Sequence, residues 1–198
     1  MSNYISVTSP IKSEIVESLR AGDHVIISGI VYTARDTAHQ RMVDALHNGQ
    51  LLPFDITGQT LYYSGPSPAR PGHPVGSSGP TTSSRMDVFT PKLLDAGLRA
   101  MIGKGERSAK VKRSMIRHKA IYFAATGGTG ALIAKCIKTA KIVAYEDLGA
   151  EAILQLEVEN LPTIVANDIY AGDLYEAGRA RYQVLDDQLP NHNSHHYW

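Results

Sequence analysis

Between Asp87 and Gly128 the chain reads DVFTPKLLDAGLRAMIGKGERSAKVKRSMIRHKAIYFAATGG, and no other stretch constrains the fold as tightly. A helical segment stops at Gly97 and runs into the short apolar strand AMIG; a second helical segment, ERSAKVKRSMIRHK, then leads to the apolar run AIYFAATGG. Short apolar runs without polar alternation are strands buried on both faces, and a helix between two of them is the crossover that parallel strands require. The same reading continues downstream. It predicts a helix over TGALIAKCIKTA (129–140), a strand over KIVAYEDLG (141–149), a short helix over AEAILQLEVENL (150–161) and a last strand over PTIVANDI (162–169). The second half is therefore expected to be α/β with a largely parallel sheet.

The first half is expected to be richer in β structure. Residues 1–22 read as an extended arm and a short helix, and HVIISGIVYTA (24–34) is a strand by its β-branched content. TAHQRMVDALHNG (37–49) has helical spacing with Asn48-Gly49 as its stop, and QTLYYSGP (59–66) is a second strand. The Pro/Gly/Ser-rich run after it, SPARPGHPVGSSGP, is long enough that function or disorder is the usual reason for it in a compact domain. A single domain is expected over 1–183, with 184–198 a polar, histidine-rich tail.

The 198 residues carry a net charge of +1, so no basic footprint argues for nucleic acid or an anionic membrane. The basic residues of 104–119 read as the solvated face of a helix. One cysteine, Cys136, rules out an intrachain disulfide and an iron–sulfur cluster held by this chain's own thiolates. It reads as a small hydrophobe on a helix. No apolar run is long enough for a membrane span, MSNYISVTSPIKSE lacks the apolar core of a signal peptide, and the expected setting is cytoplasmic.

Candidate functional groups cluster in a few motifs. In GPTTSSRMD, Thr81 and Thr82 precede a helical run and could serve as N-caps; with the backbone N–H groups of the turn and Arg85 they also form a set suited to a carboxylate. In TARDTAHQR, Arg35 follows a strand, where ligands bind in α/β sheets, so it is a second clamp; Asp36 reads as an N-cap or a partner, His39 as a core histidine or a partner. Lys104 lies between glycines in IGKGERS, without the G-x-x-x-x-G-K-S/T spacing of a phosphate loop. ATGGTGALIAK resembles a phosphate cradle but lacks G-x-G-x-x-G, so close packing of strand and helix is the plainer reading, and a nucleotide site the rival one. Glu146 and Asp147 pair as acid/base groups or as surface caps. These residues alone point to a domain that binds a small polyanion such as a dicarboxylate.

Taken in order, YTARDTAHQR, LLPFDITGQTLYYSGP, GSSGPTTSSRMD, MIGKGERS, AIYFAATGGTGALIAKCIK and AYEDLG resemble the β subunit, or C-terminal domain, of class I iron-sulfur fumarases, and are similar also to the tartrate dehydratase β subunit. The resemblance runs from about Ala21 to Asp168, and NDIYAGDLYE departs from it. It implies a swivelling β/β/α domain and a reversible hydration of fumarate to (S)-malate. It further implies a 4Fe-4S cluster ligated by a partner α subunit, whose open iron acts as a Lewis acid, and a hetero-oligomer such as α2β2. Carried over by motif, Thr81 matches the proposed proton-transfer residue, Lys104 a catalytic lysine, and Arg35, Arg85 and Thr82 substrate contacts, with Asp36 and His39 behind Arg35; no metal ligand is implied in this chain. Alanines at positions 34 and 38 favour fumarate over tartrate, mesaconate remains open, and a non-catalytic anion-binding domain is the alternative of a different kind.

Overall fold

The computed structural model describes residues 4–126 and 128–183. The tail 184–198 lies outside them. The described residues form a mixed α/β structure with one seven-stranded sheet and six α-helices.

Five strands run parallel in the order β1 (Ile5–Ser9), β2 (His24–Thr33), β3 (Thr60–Tyr62), β4 (Ala100–Gly103) and β5 (Ile121–Ala124). The expected arm at the N-terminus is thus an edge strand, paired with β2 from Ile5 opposite Val25 to Ser9 opposite Gly29. The connections carry α1 (Ser13–Ser18), α2 (Asp36–His47), α3 (Thr90–Asp95) and α4 (Ala109–His118). As the apolar runs implied, β3, β4 and β5 are buried on both faces, and their residues alternate between two cores. Tyr62, Ala100, Ile102, Ile121 and Phe123 face one, with Val16 of α1. Leu61, Tyr63, Met101 and Tyr122 face the other, under Met42, Leu93, Leu94 and Met115 of α2, α3 and α4.

The structure corrects the expectation for the two halves. The first half is not β-rich: through residue 99 it holds three strands and three helices. The parallel pairs lie in residues 5–124, whereas the last two strands, β6 (Ile137–Ala144) and β7 (Ile153–Asn167), are antiparallel to their neighbours. The helix expected over 129–140 is only α5 (Gly130–Cys136), because β-branched Ile137 turns directly into strand geometry, at φ −86 and ψ 118. The helix expected over 150–161 is the first part of β7. Its Ala/Glu/Leu/Gln content suits a helix, but Leu156, Glu157, Val158 and Glu159 alternate buried and exposed, and packing overrides propensity. β7 pairs with β2 along most of its length and with β5 at its end, so β2, β3, β4, β5 and β7 close on themselves. A last helix, α6 (Leu174–Tyr182), is capped by Asp173. Among the described residues no helix is long and apolar enough to cross a membrane.

Candidate functional site

Parallel strands bring the residues just past their carboxyl ends to one edge of the sheet, and here β2, β3 and β4 run on into Arg35, Tyr63 and Lys104. Ala34 donates its N–H to the Tyr62 carbonyl at 3.1 Å and Tyr63 to that of Ile102 at 2.8 Å, so the ladder extends past the strands and sets these residues side by side. The GPTTSSRMD segment then crosses the same edge. Thr81 donates its N–H to Tyr63 at 2.6 Å, Thr82 bridges Lys104 as a parallel pair, and Ser83 donates to the Lys104 carbonyl at 2.9 Å. A Cβ on Gly103 would stand 2.0 Å from Ser83 Oγ, so only glycine lets the segment lie this close to β4.

Arg35, Asp36, Thr81, Thr82, Arg85 and Lys104 are accordingly gathered at the carboxyl edge of the parallel strands. Thr82 precedes a short 3-10 helix, Ser83–Met86, yet its side chain makes no capping bond and is exposed, which removes the plain structural reading of this hydroxyl. Asp36 is the first residue of α2 rather than its cap, and its carboxylate takes two hydrogen bonds from Arg85, from Nε at 2.8 Å and from Nη2. That bonding holds Asp36 below the usual carboxylate range and raises Arg85. Arg35 Nε lies 3.4 Å from Asp36 and is buried with no hydrogen bond among the described residues, while Arg35 Nη2 donates to Glu151 Oε1 at 3.0 Å. Glu151 also accepts the Thr37 N–H at 2.8 Å; burial pushes its carboxyl up, but these donors outweigh it and leave it below the ordinary value.

His39 is wholly buried on α2 and stands edge-on to Tyr63, ring centroids 5.1 Å apart. Its Nδ1 donates to the Arg35 carbonyl at 3.1 Å, and Nε2 is buried with no hydrogen-bond partner among the described residues. Burial pushes its pKa down to about 4, so the ring is neutral at pH 7. It supports Arg35 through the main chain; Asp36 reaches the Arg85 side chain. Lys104 is exposed and forms no ion pair among the described residues.

Several residues at this edge carried no recognisable signal. Glu151 is 116 positions from Arg35. Arg107 belongs to the basic run read as a solvated helix face, but its side chain is fully buried and bonded to Asp87. Asp147 of the other acidic pair is held by both Nη atoms of Arg41 at the surface. The glycine-rich turn meets the hydroxyl-rich loop before the threonines: Ser78, beside Gly79, donates its N–H to the Gly130 carbonyl at 3.1 Å. Cys136 closes α5 half-buried, 3.6 Å from the Asn160 carbonyl, and burial raises its thiol pKa. Among the described residues no three His, Cys, Asp or Glu side chains are grouped to hold a metal ion.

Residues 2–178 match the family model described as "Fumarase C-terminus". The chain belongs to that family. Within it the chain is similar to the "Putative L(+)-tartrate dehydratase subunit beta" of Methanocaldococcus jannaschii, 36% identical over 88% of this chain and 93% of the relative. It is similar also to "Fumarate hydratase class I, anaerobic" of Escherichia coli, 34% identical over 83% of this chain, and to "Fumarate hydratase 1, mitochondrial" of Leishmania major, 36% identical over 76%. It aligns with only 29% and 28% of the length of those two fumarate hydratases. The chain thus spans nearly the whole of the first relative and less than a third of the other two.

Proposed function

We propose that this chain is the β part of a two-part hydro-lyase that interconverts fumarate and (S)-malate, in a cytoplasmic hetero-oligomer with an α subunit that carries a 4Fe-4S cluster. The swivelling β/β/α architecture goes with the same reading. The observation that carries it is the convergence of Arg35, Thr81, Thr82, Arg85 and Lys104 on one edge, by hydrogen bonds that tie their segments together.

Removing a proton next to a carboxylate builds charge on that carboxylate, and cations fixed beside it stabilise the transition state more than the ground state. Among the described residues Arg85 engages Asp36 through Nε and Nη2, and Arg35 engages Glu151 through Nη2, so each presents Nη1 for a substrate carboxylate. Both guanidiniums are thereby pre-oriented, which lowers the entropy cost of a two-point grip. Lys104 supplies a third, mobile cation. Thr81 is fixed by its backbone bond to Tyr63 and is the candidate for moving the proton; its hydroxyl needs Lys104 or a group of the partner nearby to act as a base at neutral pH.

The second reading is a tartrate dehydratase β subunit, favoured by the relative of that name whose length this chain nearly spans. Anaerobic assay of the chain with its cluster-bearing partner on fumarate, (S)-malate and both tartrates separates the two. Fumarate hydration only in the complex is the expected result, and turnover of tartrate alone would overturn the choice of substrate. A complex that binds dicarboxylates and converts none would leave a binding module.

A further inference from the structure

Arg107 is a fully buried cation: none of its side chain is exposed. Charged side chains are almost never buried so completely unless the surroundings are built for them. Its Nε donates to Asp87 Oδ1 at 2.8 Å, its Nη2 to Thr90 Oγ1 at 2.8 Å and its Nη1 to the Tyr63 hydroxyl at 3.4 Å. The guanidinium carbon stands 5.3 Å from the Tyr63 ring centroid and 5.0 Å from that of Tyr122. Asp87 completes the pair by accepting the Ser108 N–H at 2.6 Å.

Asp87, Tyr63 and Tyr122 each lead to a different piece of the candidate site. Asp87 follows Arg85 by two positions, and Arg107 follows Lys104 by three, so their ion pair staples the two loops that bear those cations. Tyr63 receives the Thr81 N–H on its carbonyl and meets His39 on its ring, and His39 holds the Arg35 carbonyl. Tyr122 donates its hydroxyl proton to the Gly105 carbonyl at 2.8 Å and therefore accepts from Ser83 Oγ at 2.9 Å. Gly105 in turn donates its N–H to the Tyr175 hydroxyl at 2.9 Å.

We infer that Arg107 is the positioning residue of the site: one buried guanidinium, paired with Asp87, sets the spacing of the segments that carry Arg35, Thr81, Arg85 and Lys104, without touching substrate. That this spacing matters for turnover rests on the hydro-lyase reading; that Arg107 sets it does not. Lysine cannot replace the planar fork that bonds Asp87, Thr90 and Tyr63 at once, so Arg107→Lys keeps the charge and loses the geometry.

Two measurements test this. In the full chain, amide hydrogen exchange at Thr81, Ser83 and Gly105 should rise together by about tenfold or more in Arg107→Lys, while Val16 and Leu19 at the other core stay as in the wild type. Unchanged exchange at the three amides overturns the inference. If Arg107→Lys opens the whole molecule instead, the near-isosteric Asp87→Asn replaces it: a joint rise at the three amides supports the staple and independent or absent changes overturn it. In the active complex, kcat should fall on the order of a hundredfold with KM moved less than about threefold, and the loss should not multiply with that of Lys104→Ala. Full additivity with Lys104→Ala, or kcat within a factor of about two, overturns the catalytic part. A wild-type complex inert to every dicarboxylate removes the functional reading and leaves the exchange result to decide the rest.

Discussion

The site has a floor and a rim, and they use the same chemistry under opposite conditions. In the floor, Arg107 and Asp87 form an arginine–carboxylate pair with the arginine entirely out of water and the aspartate side chain 11% exposed. In the rim, Arg85 and Asp36 form another, with side chains 49% and 33% exposed. A buried pair has few alternatives, since either partner alone would be an uncompensated charge in a low dielectric. An exposed pair exchanges its partner for water or for a ligand carboxylate at small cost. Rigidity and adjustability are divided accordingly: the floor holds the loops, and the rim presents cations that can change partners.

The floor is where the largest effect is expected. Asp87→Ala should lower the unfolding free energy by about 3–5 kcal/mol, the usual cost of stranding one member of a buried pair, measured by urea denaturation of the full chain. A loss below about 1 kcal/mol would mean that water reaches Arg107 and that floor and rim do not differ.

The pH dependence of stability bears on the same contrast through His39, which lies between them. Its folded pKa of about 4 is below the ordinary value of 6.5, so the unfolded chain binds the proton first as pH falls. Its contribution is complete above pH 6.5 and is lost progressively down to about 4, by an amount on the order of 3 kcal/mol from the 1.36 kcal/mol per pKa unit. Asp36 and Glu151, both lowered, lose stability in the same direction at more acid pH. Unfolding free energies between pH 7 and 4 should therefore slope downward towards acid, and His39→Gln should flatten the slope; an unchanged slope would place the titration elsewhere.

The rim should respond in activity rather than in stability. Arg85→Ala is expected to cost less than about 1 kcal/mol of stability but on the order of a hundredfold in kcat/KM of the assembled enzyme, about 2.7 kcal/mol of transition-state stabilisation. A specificity constant within a factor of about two of the wild type would remove Arg85 from the substrate grip.

Much of the fold and of the rim is legible in the chain itself. The strands Ala100–Gly103 and Ile121–Ala124, the helix between them and the placing of TARD and GKG at strand ends follow from local rules: apolar runs of strand length, glycine stops, and cationic side chains just past the strands. Each of those signals lies within a few residues of the element it marks, so local chemistry is enough to set it. β7 is the counterexample. Its first residues favour a helix locally, and pairing with β2, more than a hundred positions away, and with β6 on its other side makes them a strand. The roles of Arg107 and Glu151 belong to the same class. A basic residue in a basic run and a glutamate before an apolar run look solvent-facing until the fold buries one against Tyr63 and Tyr122 and brings the other to Arg35. Burial and partnership between distant residues are properties of the assembled structure, because the dielectric and the neighbours that decide a charge's role exist only after the chain has closed around it.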